Sequence, residues 1–297
     1  MTIRISLVAT TLFRAIVFVF GTTPVSPVAA APLSDSSLSA DESPRKIMTV
    51  VLENTNYEDA LRQPFLASLT RRGTLLTHFT AEVHPSQPNY IALISGSTFG
   101  VTSDGNVSLD QRHIGDLLEA KGLQWRVYAE SYPGNCFLGT EAGTYVRKHT
   151  PFLSFTNIQR DPSRCARIVD ASELASDVRG GKLPDYSLYV PDLKHDGHDT
   201  GVAFADRWLS ATFGPLLGDP KFTKGLLFIV TFDESEGYIF GGNHVATILV
   251  GDAVKPGSVV DANYDDYSLL RLVEDLLGLG TLGRADAHAA VISGWKK

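Results

Sequence analysis

Residues 226–232 read Leu-Leu-Phe-Ile-Val-Thr-Phe and run straight into Asp233-Glu234. Seven nearly continuous apolar and β-branched residues, with no polar alternation, describe a strand buried on both faces. Two acids at its end describe a strand that delivers carboxylates to one edge of a sheet. Ile47 to Leu52 (IMTVVL) repeats the pattern and ends in Glu53-Asn54. Gln124 to Ala129 runs into Glu130, and Asp185 to Val190 runs into Asp192, followed by Asp196, His198 and Asp199. Val245 to Val250 begins just after Asn243-His244. Helical spacing of apolar residues over 57–72, 111–121, 201–217 and 267–277 separates these runs. Strands alternating with helices predict one α/β domain over 45–297, with a mainly parallel central sheet flanked by helices on both faces. In such sheets ligands bind beyond the carboxyl ends of the strands, where the polar groups collect here.

The 297 residues carry a net charge of −7 and are 43% hydrophobic, enough for a substantial core. The acidic balance argues against nucleic acid as a partner. Before the domain, Arg4 opens an apolar stretch from Ile5 to Phe20, leading through prolines to Val28-Ala29-Ala30-Ala31. This is the pattern of a signal peptide over 1–31 and predicts a secreted or periplasmic protein. Arg14 leaves the run too short for a transmembrane helix. Residues 32–44, rich in Ser, Asp and Pro, read as a disordered leader. The two cysteines, Cys136 and Cys165, fit no zinc pattern, and in an exported chain they predict a disulfide.

Carboxylates, an amide and imidazoles without thiolate suit Ca²⁺, Mg²⁺, Mn²⁺ or Zn²⁺. The same acids crowded together without a cation would raise one another's pKa. Ser86 lies in His84-Pro85-Ser86-Gln87-Pro88-Asn89-Tyr90, ahead of a helical segment ending at Gly96. It reads equally as a helix N-cap or as a nucleophile whose anion is met by a helix N-terminus and a cation. No Gly-x-Ser-x-Gly elbow supports a serine esterase.

The segments HPSQPNYIALISG (84–96), AESYPGNC (129–136), YVRKHTPF (145–152), DGHDTG (196–201), TFDESEG (231–237), NHVATILVG (243–251) and the stretch 267–286 resemble, in this order, the phosphoesterase family of the alkaline phosphatase superfamily. That family includes secreted acid phosphatases and bacterial phospholipase C enzymes. The resemblance implies an alkaline-phosphatase-like fold and hydrolysis of a small phosphoester through a phosphoserine at Ser86. It places a divalent cation on Glu53, Asn54, Asp233 and Glu234. His84 and His198 become the candidates for protonating the leaving group, and Asn89, Asp196, Asp199 and His244 the candidates for contacting substrate or orienting His198. Superfamily members with two metals use Asp/His pairs, so Glu-Asn and Asp-Glu imply one cation. The short chain and Thr55-Asn56-Tyr57 imply the acid-phosphatase branch. A phosphodiesterase or phospholipase C activity is the alternative, followed by a non-catalytic secreted protein that binds phosphate or metal. His78, His113, His149 and His288 read as surface or core histidines. The basic run 145–149 reads as a substrate-attracting patch or a solvated loop.

Overall fold

A computed structural model of the chain describes residues 43–237 and 242–297. The expected signal peptide, and the leader as far as residue 42, lie outside the described residues.

Among the described residues ten strands are present: β1 (Lys46–Leu52), β2 (Thr74–Thr80), β3 (Trp125–Ala129), β4 (Glu141–Ala142), β5 (Tyr145–Val146), β6 (Ile168–Asp170), β7 (Tyr186–Val190), β8 (Leu226–Phe232), β9 (His244–Gly251) and β10 (Ser258–Asp265). Eight form one sheet in the order β10-β2-β9-β8-β1-β7-β3-β6, while β4 and β5 make a small hairpin. All neighbours in the large sheet are parallel except β9, which runs antiparallel to β2 and β8. β8 is buried along its whole length and pairs with β1 from Lys46↔Leu226 to Leu52↔Phe232. That register sets Glu53 beside Asp233, and the Asp233 amide donates to the Leu52 carbonyl at 2.9 Å.

Two features of the sheet have no strong sequence signal. β10 is an edge strand in which every residue but Tyr264 is exposed or half-buried, so it lacks an apolar pattern. β2 is buried over its first half and partly open over its second. The helix expected over 57–72 is two helices, Tyr57–Leu61 and Pro64–Arg72. Pro64 cannot donate to the turn before it, and it disfavours helical geometry at Gln63, so the chain restarts there. The helix expected from 111 begins at Ile114, where the His113 ring accepts the Gly115 amide and Asp116 accepts the His113 amide. His113 is therefore a buried capping residue.

The Ser86–Ser95 helix is buried on every side and packs against the Asp266–Leu277 helix. It ends at Gly96, φ 70°, where an added Cβ would fall 2.4 Å from Asp286 Oδ1. Glycine is thus required there both by the left-handed turn and by the close approach of that carboxylate. Cys136 and Cys165 form the expected disulfide, Cα–Cα 5.6 Å, joining the loop after β3 to the turn before β6.

Candidate active site

Pro85, not Ser86, is the N-cap of the Ser86–Ser95 helix, and no side chain caps it. The Ser86 hydroxyl is turned instead toward the ends of β1 and β8. Its Oγ lies 3.1 Å from Glu53 Oε2 and 3.2 Å from Glu234 Oε1, with all three residues buried. One turn along the same face, the Tyr90 hydroxyl donates to Glu53 Oε1 at 2.9 Å. Asn54 Nδ2 donates to Glu234 Oε1 at 2.8 Å, and His84 Nδ1 lies 2.5 Å from Glu234 Oε2. Asp196 is fully buried, and its carbonyl accepts the Glu53 amide at 2.9 Å. The strand-end acids and Ser86, distant in sequence, thus meet at one point on the carboxyl edge of the sheet.

His149 completes this cluster, in contrast to its reading as an ordinary core or surface histidine. It is buried, with Nε2 2.9 Å from Glu53 Oε1 and Nδ1 3.9 Å from Asp196 Oδ2, and its ring stacks on Tyr90. Burial raises the Glu53 carboxyl, yet His149, then Lys148 and Tyr90, bring it down to about 2. Lys148 donates to Asp104 at 2.9 Å, and the other Asp104 oxygen accepts the Gln87 amide at 3.0 Å, so the basic run 145–149 is tied to the start of the Ser86 helix. Its presence among the family-like segments was the one sequence signal for His149.

Two residues assigned to substrate oxygens have their polar atoms engaged elsewhere. The Asn89 side chain accepts the Val83 amide at 2.9 Å and donates to the Val83 carbonyl at 2.7 Å, bracing the loop that carries His84. His244 Nε2 bonds the Thr77 carbonyl at 2.7 Å, and its ring stacks on Tyr57. Both serve the backbone because their polar atoms already have close partners there. His198 is half-exposed. Its Nδ1 lies 2.7 Å from Asp199 Oδ1, and its amide donates to Asp196 Oδ1 at 3.0 Å. The Asp199 hydrogen bond is the main cause of its raised pKa.

The oxygens of this cluster fit a cation. Asn54 Oδ1, Asp233 Oδ1 and Oδ2 and Asp196 Oδ2 are buried and have no hydrogen-bond partner among the described residues. Buried acceptors without partners are costly, and four of them at the carboxyl edge of the sheet are a demand for positive charge. Burial, then Glu53 and Glu234, pushes the Asp233 carboxyl well above its ordinary value. Burial and Glu53 push Asp196 up to about 7. A hard or borderline divalent ion would satisfy this oxygen-rich, thiolate-free set and return Asp233 to its ionised form.

A second group, Glu130, Asp192 and His195, has ligand-type atoms within 4.8 Å of one another. It does not carry the same demand. Glu130 receives the Tyr189 hydroxyl (3.2 Å) and Trp208 Nε1 (3.1 Å) on Oε1, and the Asp192 amide (3.2 Å) on Oε2, which also lies 2.7 Å from His195 Nδ1. Its lone pairs are used by donors, so a metal would have to displace them.

The fold is a mainly parallel α/β sheet with a buried serine hydroxyl among carboxylates at the strand ends. The phosphoesterase family model matches residues 40–280, and the chain belongs to that family. A probable acid phosphatase of Kluyveromyces lactis is 36% identical over 260 residues, covering 84% of this chain and 62% of the relative. An acid phosphatase of Aspergillus fumigatus is 32% identical over 83% of this chain and 58% of the relative, so the chain spans less than two thirds of these fungal proteins. The phosphatidylinositol-3-phosphatase of Mycobacterium tuberculosis is 30% identical over 90% of this chain and 88% of its own length. A solved alkaline phosphatase superfamily protein from Vibrio parahaemolyticus shares the fold at TM-score 0.59 and 13% identity, over 84% of this chain and 71% of that one. Human ectonucleotide pyrophosphatase/phosphodiesterase 5 does so at TM-score 0.56 and 11% identity, over 81% and 96%.

Proposed function

We propose that the chain is an exported, cation-dependent phosphomonoesterase of the acid phosphatase type, with Ser86 as its nucleophile. The observation that carries this reading is the Ser86 hydroxyl held between two carboxylates, 3.1 Å and 3.2 Å away, at the start of a buried helix. Monoester over diester is favoured by the relatives, named as acid phosphatases and a phosphatidylinositol-3-phosphatase. Export is supported by the N-terminal stretch and by the disulfide, which belongs to oxidising compartments. No helix of the described residues is long and apolar enough to cross a membrane.

Glu53, Asn54, Asp233 and Glu234 would hold one divalent ion, with Asp196 beside them. Bound there, the ion supplies positive charge that lowers the serine pKa and offsets charge on the transferring phosphoryl group. The chain's own residues do the rest. Glu53 Oε2 and Glu234 Oε1 are placed to take the Ser86 proton as Oγ attacks phosphorus in line. The helix N-terminus meets the negative oxygens of the resulting phosphoserine. His198, kept protonated to higher pH by Asp199, gives its proton to the leaving oxygen, with His84 as the other candidate. The deprotonated histidine then activates the water that hydrolyses phosphoserine, and Ser86 recovers its proton. His149 and Tyr90 hold Glu53 in place throughout.

Turnover of p-nitrophenyl phosphate, bis-p-nitrophenyl phosphate and phosphatidylinositol 3-phosphate, with and without chelator, tests this. Hydrolysis of the monoesters that chelation abolishes is expected. Full activity after chelation, or a preference for the diester, would overturn it.

A further inference from the structure

Glu130 stands apart from the Ser86 cluster, at the end of β3, yet its hydrogen bonds lead into it. Its Oε2 accepts the Asp192 amide at 3.2 Å and lies 2.7 Å from His195 Nδ1. The His195 ring is held flat against Trp208, with centroids 5.5 Å apart at 10°, and Trp208 itself donates to Glu130 Oε1. The Asp192 carboxylate accepts the Ser131 hydroxyl at 2.8 Å, the Thr144 hydroxyl, and the Lys194 amide at 3.1 Å. Residues 192–196 therefore form one pinned turn, in which the Asp192 carbonyl accepts the His195 amide at 2.8 Å and the Asp196 amide at 2.9 Å. The far end of that turn is active-site material. The Asp196 carbonyl accepts the Glu53 amide at 2.9 Å, and Asp196 Oδ1 accepts the His198 amide at 3.0 Å.

We infer that Glu130 is a positioning residue, which through His195 and the 192–196 turn fixes the backbone of Glu53 and the placement of Asp196 and His198. The inference rests on the proposed phosphomonoesterase reading. Every link is a hydrogen bond, and no covalent chemistry occurs at Glu130. The competing assignment, a second metal centre on Glu130, Asp192 and His195, needs Nδ1 stripped of its proton and the donors around Glu130 moved aside. A brace needs only that Nδ1 remain a donor.

These two roles separate experimentally. Glu130→Gln places an amide NH₂ against groups that are themselves donors, which breaks the brace. The expected result is a fall in kcat of about 10- to 100-fold, and a comparable weakening of Mn²⁺ binding to the metal-free protein by calorimetry, as when outer-shell partners are removed elsewhere. KM is expected to change much less. In His195→Asn the side-chain NH₂ takes the place of Nδ1 as donor, so kcat and Mn²⁺ affinity stay near wild type, with the stoichiometry unchanged. Should Glu130→Gln fail to fold, Trp208→Phe removes a single donor and is expected to lower the same two quantities less. Unchanged kcat and Mn²⁺ affinity in a folded Glu130→Gln, or loss of one Mn²⁺ equivalent in His195→Asn, would overturn the inference. Ser86→Ala in the same assay keeps the two questions apart. Activity surviving there refutes the nucleophile, while the calorimetric arm still decides the brace.

Discussion

Glu130 and Asp233 reach the same edge of the same sheet by the same means, each directly after a buried strand, yet their surroundings are opposite. Glu130 has the Tyr189 hydroxyl, the Trp208 indole, the Asp192 amide and the His195 ring around its carboxylate. Asp233 is more deeply buried than Glu130, neither of its oxygens has a hydrogen-bond partner among the described residues, and burial, then Glu53 and Glu234, raise its pKa. Closeness of ligand-type atoms would choose the Glu130 group as the metal centre. Unmet demand for positive charge chooses the other. A saturated carboxylate is a structural brace, and an unsatisfied one is half of a binding site.

The largest effect that tests this contrast lies at Ser86. Ser86→Ala is expected to lower kcat for p-nitrophenyl phosphate by about 10³-fold or more, with the fold intact, because the attacking atom is gone. Turnover within a few-fold of wild type would remove the nucleophile from the account. Asp233→Asn comes next. It is expected to abolish tight cation binding and activity, while the metal-free variant melts no lower than metal-free wild type, since a neutral amide relieves a crowded acid. Glu130→Gln, in contrast, should cost about 1–3 kcal/mol of stability in urea unfolding, because donors lose their acceptor. Equal destabilisation by the two substitutions would erase the contrast.

A third carboxyl shows another way out. Glu274, in the helix packed against the Ser86 helix, is fully buried, and neither oxygen has a partner among the described residues. Burial, then Asp286, push it up from 4.5 to about 8, so it keeps its proton. The folded chain therefore binds more protons than the unfolded one between those values. The associated stability is complete below about 4.5 and lost as pH rises toward 8. Urea unfolding followed across that window should show the decline in wild type and a flatter profile in Glu274→Gln. The smallest effect expected is at Asp199. Asp199→Asn removes the main support of protonated His198, so the alkaline limb of the kcat–pH profile moves toward acid. A shift toward alkali would remove His198 as the acid.

Much of this site was legible because buried strands are loud in sequence. LLFIVTF and IMTVVL announce two adjacent parallel strands, and the acids at their ends fall together once the register is set. Ser86 was visible as a residue but not as a role, since an N-cap and a nucleophile share one spacing. The direction of its Oγ, away from the helix and toward Glu53 and Glu234, is a tertiary fact. His149 was hidden for the same reason, because its partners Glu53, Tyr90 and Asp196 are brought to it only by the folded sheet and the Ser86 helix. Asn89 and His244 have hydrogen bonds to backbone that spacing in the sequence could not show. β10 was missed because an exposed edge strand has no face to bury and so no period to read.

The central claim is that the phosphoryl group passes through Ser86. Two in-line transfers, first to Ser86 and then to water, each invert phosphorus, so hydrolysis of an isotopically chiral phosphate monoester should release phosphate with net retention of configuration. Net inversion would mean that water attacks directly, and would contradict the account.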